Sequence, residues 1–109
     1  MAEAFKVLGQ VAPSAITLTD LYTVPASTST TVSTLVVANR SATATTFRIS
    51  VAIANATNDD KQYIFYDQLI DGNSSFTATI GMTLATTDRI RVYATLATLS
   101  FSAFGVEIT

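Results

Sequence analysis

Apolar residues in this chain recur at every second position. In TFRISVAIA, Phe47, Ile49, Val51 and Ile53 share one face while Arg48, Ser50, Ala52 and Ala54 share the other, the alternation of a half-buried β-strand. RIRVYATL repeats the pattern with Ile90, Val92, Ala94 and Leu96 inward, and SFTATIGM with Phe76, Ala78, Ile80 and Met82. YIFYDQLI is apolar on both faces, with Tyr63, Phe65 and Leu69 set against Ile64, Tyr66 and Ile70. Such a strand is covered on both sides or lies at an interface. No window places apolar residues three and four apart between charged ones. The abundant Thr, Val and Ile are stiff at χ1, which suits a pleated surface and disfavours helix.

Turn-forming residues separate these runs about every ten positions. They fall at Ala12-Pro13-Ser14, Pro25-Ala26-Ser27, Asn39-Arg40-Ser41, Asn55 to Asp60, Asp71-Gly72-Asn73, Thr86-Thr87-Asp88 and, weakly, near Ala97. Asp71-Gly72 is the strongest, since glycine accepts the positive φ of a tight hairpin. About eight strands are predicted, over 3–10, 15–24, 30–39, 45–54, 62–70, 75–83, 88–96 and 99–108. The fold class is therefore all-β, an antiparallel β-sandwich of about eight strands, jelly-roll-like, with little or no helix. Residues 14–109 form a single β-sandwich domain, and residues 1–13 an N-terminal arm or edge strand. The expected core holds Phe47, Ile49, Val51, Ile80, Ile90, Val92 and Phe101. In the last strand Leu99, Phe101 and Ala103 share one face, yet Phe104, Val106 and Ile108 continue the apolar series on the other. A slip near Gly105 would let that strand pass from one packing layer to another.

Charge narrows the functional classes. Only 13% of the 109 residues are charged, against roughly 25% in ordinary soluble domains, and the net charge is −2. The six basic residues are scattered, which argues against a nucleic-acid partner, since phosphate binding needs clustered Lys and Arg. Arg89 and Arg91 share a strand face and are read as a solvated or paired edge. With so little charge for solubility, contact with other protein surfaces is the expected use of the exterior.

The chain has no His and no Cys, so the commonest general base, disulfides and thiolate chemistry are all missing. No G-x-S-x-G elbow, S-x-x-K motif or phosphate-binding glycine loop is present. Asp59 and Asp60 are read as a solvated turn. DGNSS at 71–75 lacks the remaining ligands of a calcium loop. Asn39, Asn55 and Asn73 each begin a glycosylation-type tripeptide, but turn chemistry explains them. No enzyme activity, cofactor or metal is expected. No secretory signal and no apolar run of membrane-span length is visible, so the chain is expected to be soluble, made in the cytoplasm and without a membrane partner.

Five residues are candidates for an interface: Phe5, Val7 and Val11 in the N-terminal segment, which as an arm could add a strand to a neighbour's sheet, and Tyr63 and Tyr66. Odd spacing places the two tyrosines on opposite faces. If they are exposed, Tyr63 and Tyr66 with Asp67 and Asn73 are the only supply for a carbohydrate platform.

KVLGQ with LTDLYTVPA near the start, STLVVANRSATATTFRISVA in the middle and FGVEIT at the finish resemble small virion structural proteins of tailed bacteriophages. The resemblance spans nearly the whole chain and carries no catalytic signature. It implies a capsid decoration (cement) protein, with a head or tail fibre, neck or baseplate component, possibly carbohydrate- or receptor-binding, as the alternative. The partners implied are the chain itself, as a homo-oligomer with a trimer favoured, and a major capsid or tail protein. The location implied is the virion.

Overall fold

A computed structural model describes residues 2–109. Nine strands follow in order: β1 (Glu3–Val11), β2 (Thr19–Thr23), β3 (Ser29–Asn39), β4 (Thr45–Ala52), β5 (Tyr63–Ile70), β6 (Ser75–Ala78), β7 (Met82–Leu84), β8 (Arg89–Ala94) and β9 (Leu99–Ile108). The only helical turns among these residues are two short 3₁₀ segments, Ile53–Asn55 and Asp60–Gln62.

All pairing is antiparallel; β3–β9 and β4–β8 hold the middle of each sheet, and the remaining pairs are nested. β4 pairs with β5, β3 with β6 and β7, β2 with β8, and β1 with β9. The result is a five-stranded sheet in the order β1-β9-β3-β6, with β7 also on β3, facing a four-stranded sheet in the order β2-β8-β4-β5. One long hairpin wound over itself into two sheets is the wrapping of a jelly roll.

Alternation builds the core between the sheets. Phe47, Ile49, Ile90, Val92, Leu99 and Phe101 are almost fully buried. Phe47 meets Phe101 edge-on at 5.9 Å and Phe76 at 5.3 Å, and Phe65 stands edge-on to Phe76 at 5.2 Å. Each buried ring adds roughly 2 to 3 kcal/mol of transfer free energy. Of the expected core, Val51 is half-buried against this cluster, while Ile80 is 47% exposed. The predicted strand 75–83 breaks into β6 and β7, and Ile80 stands in the break. Ile53, at 74%, and Leu96 are also exposed, because β4 ends at Ala52 and β8 at Ala94, before alternation can carry them inward. The strand expected from residue 15 begins only at Thr19, after Ile16 with its φ of 55°.

The slip expected at Gly105 lies in the neighbouring strands. β9 keeps one phase, with Leu99, Phe101, Ala103 and Glu107 on the inner side, and stays in its sheet. Its two partners each carry one extra residue, Leu8 in β1 opposite Ala103 and Phe104, and Ser33 in β3 opposite Phe104 and Gly105. Burial in β3 accordingly changes phase, from Thr30 and Val32 to Leu35, Val37 and Asn39. A Cβ on Gly105 would lie 2.1 Å from the Thr31 carbonyl oxygen, so glycine permits this close approach. The Asp71-Gly72 turn is also no hairpin: it carries the chain from β5 in one sheet to β6 in the other, and Asn73 holds the positive φ of 53°.

Candidate interaction surfaces

Bulges decide which residues meet. In β5 the register against β4 shifts twice, between Ile49 and Ser50 and between Phe47 and Ile49. Asp67 takes a left-handed φ of 50° at the second. The extra residue, Ile64, rotates Tyr63 onto the face of Tyr66, so the expected opposite projection is wrong. The two rings pack edge to face, with centroids 5.0 Å apart and planes at 82°.

Arg48 of β4 completes this surface on the outside of the four-stranded sheet. Its guanidinium lies 4.2 Å from the Tyr66 ring centroid and 4.6 Å from that of Tyr93, and its Nε donates to Asp67 at 2.7 Å. The hydrogen bond to Asp67 raises the Arg48 pKa. Beside the tyrosines a groove of 420 Å³ runs along Asp60, and Asn58 donates to the Tyr63 hydroxyl at 2.9 Å. Farther along the sheet Arg89 and Arg91 share Asp20 at 3.0 and 3.4 Å, and Arg91 also donates to the Ala56 carbonyl and the Asn55 side chain. The paired reading of these two arginines holds. Asp67 is occupied by Arg48, and Asn73 lies in the turn beyond the opposite end of β5.

The outside of the five-stranded sheet is of another kind. Phe5, 80% exposed, stands opposite Val106, Val7 opposite Phe104, and Glu3 opposite Ile108. Thr31 and Thr34 of β3 flank Val106 and Phe104 on the other side. A shallow groove of 310 Å³ runs between Phe5, Thr31, Phe104 and Val106. Leu8, the extra residue of β1, reverses the phase after it, so Val11 turns inward and packs on the core. Val11 is thus removed from the surface that Phe5 and Val7 occupy.

Under the apolar face lies one polar chain. Lys6 donates to Glu107 at 2.9 Å, and the Tyr22 hydroxyl bonds both Glu107 and Thr30. Burial and the Glu107 hydrogen bond push the Tyr22 pKa up to about 12, while bonds from Tyr22 and Lys6 hold the Glu107 carboxyl below its ordinary range.

The five sequence candidates therefore divide: Phe5 and Val7 lie outside one sheet, Tyr63 and Tyr66 outside the other, and Val11 faces inward. Sequence reading passed over Arg48 and Tyr93, which join only through β4–β8 register. Phe104, Val106 and Ile108 were visible as a second apolar series, expected to enter another packing layer or to meet another subunit; they stay in the five-stranded sheet on its outer side. Among the described residues no group of three His, Cys, Asp or Glu is placed to hold a metal ion, and no helix is long and apolar enough to cross a membrane. No protein-family model matches this chain, and a search of curated proteins finds no match.

Proposed function

We propose that this chain is a non-enzymatic structural protein acting through symmetric protein–protein contacts, as a capsid decoration protein of a tailed-phage virion. The supporting observation is the outward stripe of Phe5, Val7, Phe104, Val106 and Ile108 on the five-stranded sheet. Apolar residues at that density, next to small Thr and Ser side chains that lose little rotamer entropy on burial, suit contact with copies of the chain and with a larger shell. The virion assignment rests on the resemblance of KVLGQ, STLVVANRSATATTFRISVA and FGVEIT to phage structural proteins. Quantitative mass spectrometry of purified particles that carry this chain tests it. Hundreds of copies per particle are expected; a count in the tens or below points to the alternative, a fibre, neck or baseplate part, and absence from particles contradicts both.

A saccharide-binding reading is favoured by one observation, the Tyr63–Tyr66 pair beside the Asp60 groove. Aromatic faces with adjacent polar groups take up sugar rings by stacking and hydrogen bonding. Saturation-transfer NMR with a panel of neutral oligosaccharides should then show contacts that Tyr66→Ala abolishes. No transfer from any member removes this reading.

A further inference from the structure

The two sheets have four edges, and three of them are guarded. β5 carries two register shifts and a left-handed residue, β2 has five residues with a shift of its own, and β6 and β7 are four and three residues long with a break between them. Interruptions of this kind keep a sheet edge from pairing with another chain. From Glu3 to Val7, β1 is regular, and it contains no proline.

The direction of the β1 backbone groups follows from one pair. Ala2 and Thr109 exchange both N–H···O bonds at 2.9 Å, so they form a hydrogen-bonded pair of the β1–β9 ladder. Alternation then makes Ala4–Glu107 and Lys6–Gly105 hydrogen-bonded pairs as well. The N–H and C=O groups of Glu3, Phe5 and Val7 therefore point away from β9. Among the described residues β1 has no other strand partner. Six backbone groups lie in a row along an open edge. The side chains of the same three residues are on the apolar outer face.

We propose that β1 pairs antiparallel with β1 of a second copy about a two-fold axis at Phe5, joining two five-stranded sheets into one. This register sets Phe5 against Phe5 of the second copy and Glu3 against its Val7. It matches all six outward groups in three hydrogen-bonded pairs, whereas a shift by two residues leaves groups unmatched and a shift by one sets outward groups against inward ones. It also keeps the apolar residues of both copies on one face, with Glu3 the charged exception: Phe104 and Val7, then Val106 and Phe5, continue into the same residues of the second copy. Facing aromatic side chains add to cross-strand pairing. An inward lysine commonly guards an edge. Here Lys6 is tied to Glu107 and faces Ala4 of the second copy, so like charges do not meet. The pairing rests on the reading of this face as an assembly surface, and it makes the elementary step a two-fold contact in place of the three-fold one expected from the sequence.

Sedimentation equilibrium at micromolar concentrations tests the backbone pairing with two variants. Val7→Pro removes an N–H that no internal bond uses, a place where edge strands tolerate proline. Val7→Thr keeps the N–H and the shape. Self-association is expected unchanged in Val7→Thr and about thirtyfold weaker in Val7→Pro, from two hydrogen bonds lost per dimer. Register is read by disulfide formation, because the chain has no cysteine of its own. Phe5→Cys meets its mate at a Cα separation of about 5.5 Å, within disulfide reach, and should form a covalent dimer on oxidation. Val7→Cys lies roughly 14 Å from its mate and should not. If Val7→Pro loses its fold, the cysteine pair decides alone. Self-association unaffected by Val7→Pro, or equal cross-linking at both positions, overturns the edge pairing while the assembly reading stands. A wild-type monomer at every concentration also overturns the pairing, and the copy count in particles then decides the assembly reading separately.

Discussion

The two outer faces of the sandwich differ in how far the chain satisfies itself. On the four-stranded sheet every arginine has partners within the same molecule: Arg48 has Asp67 and two tyrosine rings, and Arg89 and Arg91 share Asp20. On the five-stranded sheet Phe5, Val7, Phe104, Val106 and Ile108 meet one another and the small side chains of Ser29, Thr31 and Thr34, with no ion pair among them. Three of the six basic residues lie on the four-stranded sheet, each with an acidic partner. One face has its arginines paired in the monomer. The other can still gain free energy from contact.

Truncations in β9 sharpen this contrast most. Phe101→Ala should cost about 3 to 5 kcal/mol in urea unfolding, as large buried rings do, whereas Phe104→Ala, three residues away on the outer face, should cost under about 1 kcal/mol. Equal losses would mean that Phe104 belongs to the monomer's core. On the face with paired arginines, Arg91→Ala should lower stability by about 2 to 3 kcal/mol, because it removes charged donors from the Ala56 carbonyl and Asn55. A value near zero in the same assay would show that face to be no better tied than the other. Arg48→Lys keeps the charge but loses the planar stack between Tyr66 and Tyr93, for an expected loss of about 1 kcal/mol.

The smallest effect concerns the polar chain beneath the apolar face. The Glu107 pKa is lowered on folding, so its contribution is present above the unfolded value of 4.5 and is lost as pH falls through the lower folded value. The Tyr22 pKa is raised, so its contribution is present below 10 and is lost as pH rises toward about 12. Thermal midpoints should therefore fall at both ends, and Glu107→Gln should flatten the acid limb. An unchanged acid limb in that variant would place the acid sensitivity elsewhere.

Legibility from sequence follows the range of the interaction. Period-two alternation placed Phe47, Ile49, Ile90, Val92 and Phe101 inside, because side-chain direction in a regular strand is local. Ile53 and Leu96 were misplaced where a strand ended early, and Ile80 where one broke. Register shifts come from pairing between distant segments, and they caused the remaining errors: Ile64 brought Tyr63 and Tyr66 together, Leu8 turned Val11 inward, and Leu8 with Ser33 produced the irregularity read as a slip at Gly105. The tyrosine pair could be named from sequence, but its arginine could not, since Arg48 and Tyr93 meet only through the sheet.

Amide hydrogen exchange in β1, followed as protein concentration is raised, tests most directly whether the apolar sheet is completed by another copy. Ala4 and Lys6, bonded to β9, should be protected at every concentration. Glu3, Phe5 and Val7, whose N–H groups face the open edge, should exchange freely when dilute and become protected as copies associate. Free exchange at these three positions at concentrations where the protein is fully associated would contradict pairing through this edge.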